Sequence, residues 1–321
     1  MKLHVCEDLE EGRQLWKDLW PDKDVFDCWQ VRHSFQQAFG RSPHFIVAEA
    51  LGRPVGLLAL SWIEEEGYYG CFPGETWQGK TWLEQNRIPA MSRTIRQGLW
   101  EAAPENTELR YLHDEMTASL PGVTMDEVGY IFYPQRFKYD YNAYWGQFSG
   151  KSRRQIRRET EKFEAMGCRY HVNEWDDIGW MFEMNLATFK QRSYFHDSRF
   201  LNGFDAMLSF LAEQGMLRVT TIRIKGHRAA VDVGAVYRNH YTVLAGATDP
   251  EFLGIAKAIN LFHLKWGCSR RFEQIDFLCG DFGWKARFHL QPRPLYQVNK
   301  TIAAACVLTA TSERRAKFVA A

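Results

Sequence analysis

The stretch from Gly215 to Arg287 constrains the fold of this chain more than any other. Leu217 to Ile224 alternates and is rich in β-branched residues, Lys225-Gly226 is a turn pair, and Ala229 to Tyr237 is a second apolar run. This is the pattern of two strands meeting across a tight hairpin. Arg238-Asn239 turns the chain again, and Tyr241 to Gly246 reads as a third strand. After Thr248-Asp249-Pro250 the period changes: Ile255, Ile259, Phe262 and Trp266 share one face at helical spacing. Gly267 is the expected end of that helix. Phe272 to Leu278 returns to strand character, and Gly280-Asp281-Phe282-Gly283 makes a loop before Trp284-Lys285.

An earlier stretch repeats the wording. FIVAEALGRPVGLLALSW, from Phe45 to Trp62, parallels VTTIRIKGHRAAVDVGAVY, from Val219 to Tyr237, and each is a hairpin followed by a further strand, Tyr68 to Phe72 in the first case. Leu3 to Cys6 reads as a strand, Leu9 to Leu19 and Asp27 to Phe39 as helices, and Pro89 to Trp100 as another helix. Leu109 to His113, Glu127 to Tyr133 and Cys168 to Val172 read as strands, and Trp175 to Gln191 as a helix. The expectation is an α+β chain of two duplicated halves, residues 1–145 and 146–300, each a mostly antiparallel sheet flanked by helices, with 301–321 a peripheral tail. RFKYDYNAY, from Arg136 to Tyr144, would be a linker or a groove wall between them.

With 321 residues, 45% apolar and 15% aromatic, the chain has material for a substantial core. Its 12 Trp, 13 Tyr and 22 Phe are either core or, in part, lining of a groove. A net charge of +1 gives no global sign of a nucleic-acid binder. Seven scattered cysteines without a C-x-x-C pair read as reduced thiols rather than a zinc site, so no metal is expected. The N-terminus turns acidic within a few residues, unlike a signal peptide, and no apolar run approaches membrane-spanning length. A cytoplasmic protein without a membrane span is expected.

Several motifs carry chemistry. Gly74 to Thr81 fits the phosphate-loop expression G-x-x-x-x-G-K-[ST], but Pro73 precedes it and Pro89 leaves no room for the long helix such a loop opens. An ordered loop at a pocket mouth, with Trp77, Lys80 and Trp82 against substrate, is the better reading. His113, Asp114 and Glu115 are consecutive, so at most two converge on one face of a strand. Tyr194, Phe195 and His196 read as an exposed aromatic loop. In KSRRQIRR, from Lys151 to Arg158, Arg153 and Arg157 share a helix face, as do Arg154 and Arg158. That arrangement serves either to bind phosphates or as a solvated face balanced by Glu159, Glu161 and Glu164. Asp232 is the one acid in the apolar run AAVDVGAV, where it serves as a base, an anchor for a substrate amine, or half of an ion pair.

The order of meander, helix and strand resembles the core of the GNAT acyltransferase superfamily. The ending FEQIDFLCGDFGWKARF, from Phe272 to Phe288, is similar to the Fem-like branch, the peptidoglycan-bridge aminoacyltransferases and their relatives, in its Asp near the strand end, its Gly-Asp pair and its aromatic-Lys pair. The K-S-x-R-x-x-R-R run is also similar to that branch. The resemblance covers residues 146–300 and implies tandem GNAT-like halves, with an acyl-donor site in the second and the acceptor between them. It implies transfer of an acyl or aminoacyl group to a small-molecule amine by direct attack, with acyl-CoA, an acyl carrier protein or an aminoacyl-tRNA as co-substrate. By the resemblance the donor lies along Ala245 and Gly246, its phosphates at Gly254, Ala256 and Lys257 with Arg153 and Arg157, while Lys285 beside Trp284 stabilises the developing oxyanion. The alternative for Lys285 is a salt bridge to Asp281 or Asp276. Glu251 stands where GNAT chains carry Gln or Arg, a departure that fits a donor other than coenzyme A. A GNAT-like binding module without catalysis is the remaining alternative.

Overall fold

The computed structural model describes residues 1–280 and 283–300. The first half runs β1 (Lys2–Cys6), α1 (Leu9–Leu19), α2 (Trp29–Phe39), β2 (Pro43–Ala50), β3 (Arg53–Ile63), β4 (Tyr68–Cys71), α3 (Arg93–Ala102), β5 (Thr107–Leu112) and β6 (Thr124–Phe132). Helices α4 (Tyr141–Trp145) and α5 (Gly150–Ala165) lead into the second. It runs β7 (Cys168–Val172), α6 (Asp177–Phe189), α7 (Ser198–Glu213), β8 (Leu217–Ile224), β9 (His227–Tyr237), β10 (His240–Thr248), α8 (Ile255–Arg270), β11 (Gln274–Cys279), α9 (Trp284–Arg287) and β12 (Gln291–Lys300). Both halves therefore follow one plan: a strand, two helices, a three-strand meander, a helix, a parallel strand and a final antiparallel strand.

The strands form one twelve-stranded sheet in the order β1-β2-β3-β4-β5-β12-β6-β11-β10-β9-β8-β7. The halves exchange their last strands. β6 pairs with β11 of the second half, and β12 lies between β5 and β6. The mixed α/β architecture expected from the sequence is present, with the two sheets joined at their centre.

Alternation along the strands sets the layers. Val231, Val233 and Ala235 of β9 face α6 and α7, while Ala230 faces Ile255, Ala258 and Ile259 of α8. The α6–α7 core continues into the first half, where Val31, Phe35 and Phe39 of α2 meet Phe200 and Phe204 of α7. Gly203 makes that approach possible, since a Cβ there would lie 2.8 Å from the Phe35 ring. Residues 197–214 carry no element in the sequence expectation, and an Asn-Gly pair, Asn202-Gly203, lies among them. Here the pair sits inside α7. Gly267 likewise does not end α8, which runs on to Arg270; a Cβ at 267 would meet Ile275 at 2.3 Å, so the glycine lets the helix lie on β11.

Trp77, Trp82, Tyr194, Phe195 and Phe200 join the same inter-half cluster, which accounts for much of the aromatic content as core. The loop Tyr194–His196, expected to be exposed, is so only at His196. The six cysteines among the described residues are free, and Cys306 with the rest of the expected tail lies outside them.

Candidate active site

Parallel strands β10 and β11 are paired only where His240–Thr242 lies opposite Gln274–Asp276. Beyond that point they part into a fork. β10 carries an irregularity between Val243 and Ala245, and β11 shifts against β6 between Asp276 and Cys279, with Leu278 at φ +58°. Leu244 and Leu278 belong to one buried cluster together with Leu83 of the first half. Ala245 and Gly246 are half-buried at the fork. Asn185 of α6 donates its Nδ2 to the Gly246 carbonyl at 3.4 Å and accepts from Ser193 Oγ at 2.7 Å, tying α6 to the bulged strand.

Helix α8 begins directly after Gly254, whose φ of +91° suits glycine, and no side chain caps its first turn. Gly254 and Ala256 are exposed, so the positive end of the helix faces outward. Lys257 is ion-paired with Glu159 of α5. Phe163 packs with Ile255, Ala258 and Ile259, so the part of α5 against this turn is its Glu159–Phe163 end. Arg153 lies about 9 Å back along the helix, and Arg157 is exposed. Lys257 sits in the first turn beside Gly254 and is held by Glu159, while Arg153 and Arg157 lie on the preceding part of α5.

The other wall of the fork is densely polar. Lys285 is buried, and its Nζ donates to the carbonyls of Phe277, Leu278 and Cys279 at 2.8, 2.8 and 2.9 Å, holding the end of β11. Burial lowers its pKa, against the pull of Glu84, Asp276 and Glu127. The alternative bridge to Asp276 is not formed, because that carboxylate is taken by Arg293 Nη1 at 2.6 Å, Gln85 Nε2 at 2.9 Å and the Leu278 N–H at 2.9 Å. Asp281 lies outside the described residues. Glu84 reaches across from the first half. Its Oε1 accepts the Cys279 N–H at 2.7 Å, and its Oε2 is 3.4 Å from Arg293 Nη2. Burial and then the neighbouring Asp276 push the Glu84 carboxyl up to about 7, although Arg293 opposes them. Gly129 leaves the space the arginine needs, since a Cβ there would meet Arg293 Nη2 at 2.8 Å.

Other candidate residues fall elsewhere. Asp232 points to the α8 side of the sheet, where its Oδ2 lies 2.9 Å from His263 Nε2. Thr220, Asp232 and Gly246 stand in register on three strands, and a Cβ on Gly246 would be 2.0 Å from Asp232 Oδ1. Asp232 thus has a buried partner in His263. Trp77 is 4% exposed, packed among Phe39, Tyr194 and Phe200 rather than lining a groove. Lys80 Nζ reaches the Gln191 and Arg192 carbonyls, so it links the halves. Trp284 is half-buried, with its ring against Phe277 and Phe288.

The Gly74–Thr81 stretch opens no helix. Its Thr81 Oγ1 and the N–H groups of Trp82 and Leu83 all bond Glu75, and the Gly79 N–H bonds Glu66, so its donors face carboxylates instead of a phosphate. His113 is half-buried and its pKa is pulled down to about 2, chiefly by desolvation; Asp114 opens a short helical turn, and Glu115 pairs with Arg87 at 2.7 Å. The three do not form a cluster.

Glu84, Gln85 and Arg293 carry no motif, and only the long-range pairing of two halves brings them together. Residues 72–92 fill the fork of the first half, where β4 and β5 pair only at Tyr69 and Thr107. Asn86 bonds Tyr111 and His113 through the backbone, and Leu57 and Met91 bond Pro89 and Val55. Buried Arg32 holds the Phe72 carbonyl at 2.7 Å and Asn86 Oδ1 at 2.8 Å. The cavity left between β4 and β5 is about 20 Å³, room for about one water. The first half has no space for a donor in its own fork.

Residues 150–286 match the acetyltransferase (GNAT) domain family. No curated protein matches the chain by sequence. Among solved structures, a conserved protein of unknown function from Bacteroides thetaiotaomicron aligns with TM-score 0.60 and 15% identity over 92% of this chain and 99% of that one. FemX aligns at 0.57 and 10% over 92% and 97%, and a tandem GNAT protein from the clavulanic acid biosynthesis pathway at 0.53 and 10% over 94% and 100%. The parted strands and the glycine-led helix lie within residues 150–286, the stretch that matches the acetyltransferase (GNAT) domain family, and the chain as a whole shares its fold with FemX and with a tandem GNAT protein.

Proposed function

We propose that this chain is an N-acyltransferase that moves an activated acyl group from a thioester, on coenzyme A or a carrier protein, to a small-molecule amine in the cytoplasm. The observation that carries the reading is the β10–β11 fork, with the bulge at Val243–Ala245 on one side and the uncapped start of α8 beyond it. Backbone N–H groups freed by such a bulge are fixed dipoles for the donor carbonyl, and the positive helix end at Gly254 suits the donor's phosphates. The acceptor approaches from the first-half side, where Glu84 and Tyr194 meet the fork. Lys285 holds the Phe277–Cys279 end of β11 and places a cation beside the reacting centre. Acyl transfer in general fits the GNAT domain; the thioester donor and the roles of these residues are the proposal.

A second reading, with an aminoacyl-tRNA as donor, is favoured by one feature. Lys151, Arg153, Arg154, Arg157 and Arg158 lie close together on α5, and none of them forms an ion pair among the described residues. Five unpaired cations on two turns suit a polyphosphate backbone.

The test is transfer itself: purified protein with acyl-CoA thioesters and a panel of amines, following free thiol, and in parallel with charged tRNA, following amide formation. Amine-dependent thiol release supports the first reading. Transfer only from charged tRNA moves the conclusion to the second, and no transfer from either overturns both in favour of a binding module.

A further inference from the structure

Resting on the assignment of transfer to the β10–β11 fork, we propose that Glu84 is the general base of the reaction, delivered to the second half's site by the segment that fills the first half's fork. The delivery is built into the backbone. Asn86 is fixed by Tyr111 and His113, Arg32 clamps Phe72 and Asn86, and Glu75 gathers the N–H groups of Trp82 and Leu83. Glu84 lies between these anchors, 5% exposed, with one oxygen on the Cys279 N–H where β11 has already left β10.

Stability alone gives no reason for a carboxylate here. A buried carboxylate costs free energy unless it is fully paired, and one guanidinium serves two of them. Asp276 holds Arg293 at 2.6 Å and takes two further donors, while Glu84 has a 3.4 Å contact to Arg293, the Cys279 N–H and the weak donor of the Cys279 thiol. The groups facing it come from every neighbouring element: Asp276 and Cys279 on β11, Arg293 on β12, Tyr111 on β5, Tyr194 after α6, and Lys285 on α9, with Glu127 on β6 facing the same tyrosines. Burial and Asp276 outweigh Arg293, so the carboxyl titrates near pH 7. A base with that affinity takes a proton from an ammonium-like centre and gives it up again at neutral pH.

The step balances without any other reagent. The amine nitrogen attacks the thioester carbonyl carbon, the C–N bond forms, and the C–S bond breaks. One N–H proton passes to Glu84, and from it to the departing thiolate, giving an amide and a thiol.

The experiment compares wild type, Glu84→Gln and Asp276→Asn, using the donor and amine found active in the transfer assay. It measures kcat/KM from pH 5.5 to 9 and, separately, the affinity for the donor's thiol product. Wild type should rise through an inflection near 7. Glu84→Gln should lose 10²–10⁴-fold in kcat/KM, lose the inflection, and bind the thiol product within twofold of wild type. Asp276→Asn removes the neighbouring negative charge and frees Arg293, so it should move the inflection to lower pH. Should Glu84→Gln fold poorly, that displacement alone decides. A Glu84→Gln enzyme within tenfold of wild type that keeps the inflection, or an Asp276→Asn profile that does not move, overturns Glu84 as the base and leaves the transfer reading standing. A wild-type chain that transfers from no donor overturns both.

Discussion

Gly246 shows how little room the fork allows at the scale of one residue. A methyl group there meets Asp232 Oδ1 at 2.0 Å, so the carboxylate must leave His263 or the strand must move. Gly246→Ala should destabilise the fold by about 1–3 kcal/mol, read as a lower melting temperature. Asp232→Ala in the same chain should recover part of that loss, because the two changes share one contact. Simple additivity would contradict the contact. A second prediction concerns pH. Glu84 and Asp24 are both pushed up to about 7, chiefly by burial, with Asp27 adding to the effect at Asp24. A folded-state pKa above the unfolded one contributes stability that is full below the unfolded value and is lost as pH rises through the folded value. The chain should therefore melt at a lower temperature at pH 8 than at pH 5.5, and Glu84→Gln should narrow the gap. Equal melting temperatures at both pH values would contradict this. The sequence singles out Asp232 because a lone acid in an apolar strand demands a partner. It is silent on Glu84, which stands in a segment without period, and whose surroundings come from residues almost two hundred positions away.

At the scale of elements, the meander and the helix after it are legible because period and turn pairs both change where the structure changes. What the sequence obscures is the tolerance of packing for glycine. Gly203 and Gly267 lie inside helices because Phe35 and Ile275 occupy the space a Cβ would need. The two contacts of α5 with α8 separate charge from packing. Phe163 is 2% exposed against Ile255 and Ile259, whereas Lys257 and Glu159 are a partly exposed pair. Phe163→Ala should cost about 3–5 kcal/mol, and Lys257→Ala at most about 1 kcal/mol, both measured by denaturant unfolding. Equal costs would mean that the ion pair, rather than the ring, docks the helix.

For the whole molecule, the repeated hairpins in the sequence announce two similar halves, but the exchange of their last strands leaves no local signal. Leu295 and Val298 of β12 are buried between β5 and β6. A chain ending at Leu290 should lose its cooperative melting transition, and two independent transitions would contradict the exchanged sheet. The exchange also explains why one half can serve the other. The first half fills its own fork with residues 72–92, and the same segment presents Glu84 to the second. One donor site per chain follows. Titration calorimetry with coenzyme A tests this most directly, on wild type and on two variants that each add a carboxylate at an exposed first helical turn: Ala256→Glu in α8, and Thr94→Glu in the equivalent α3. A carboxylate at a helix N-terminus suits the helix and repels a phosphate. The account predicts one site per chain, weakened at least tenfold by Ala256→Glu and unchanged by Thr94→Glu; two sites, no binding, or equal sensitivity to both changes would contradict it.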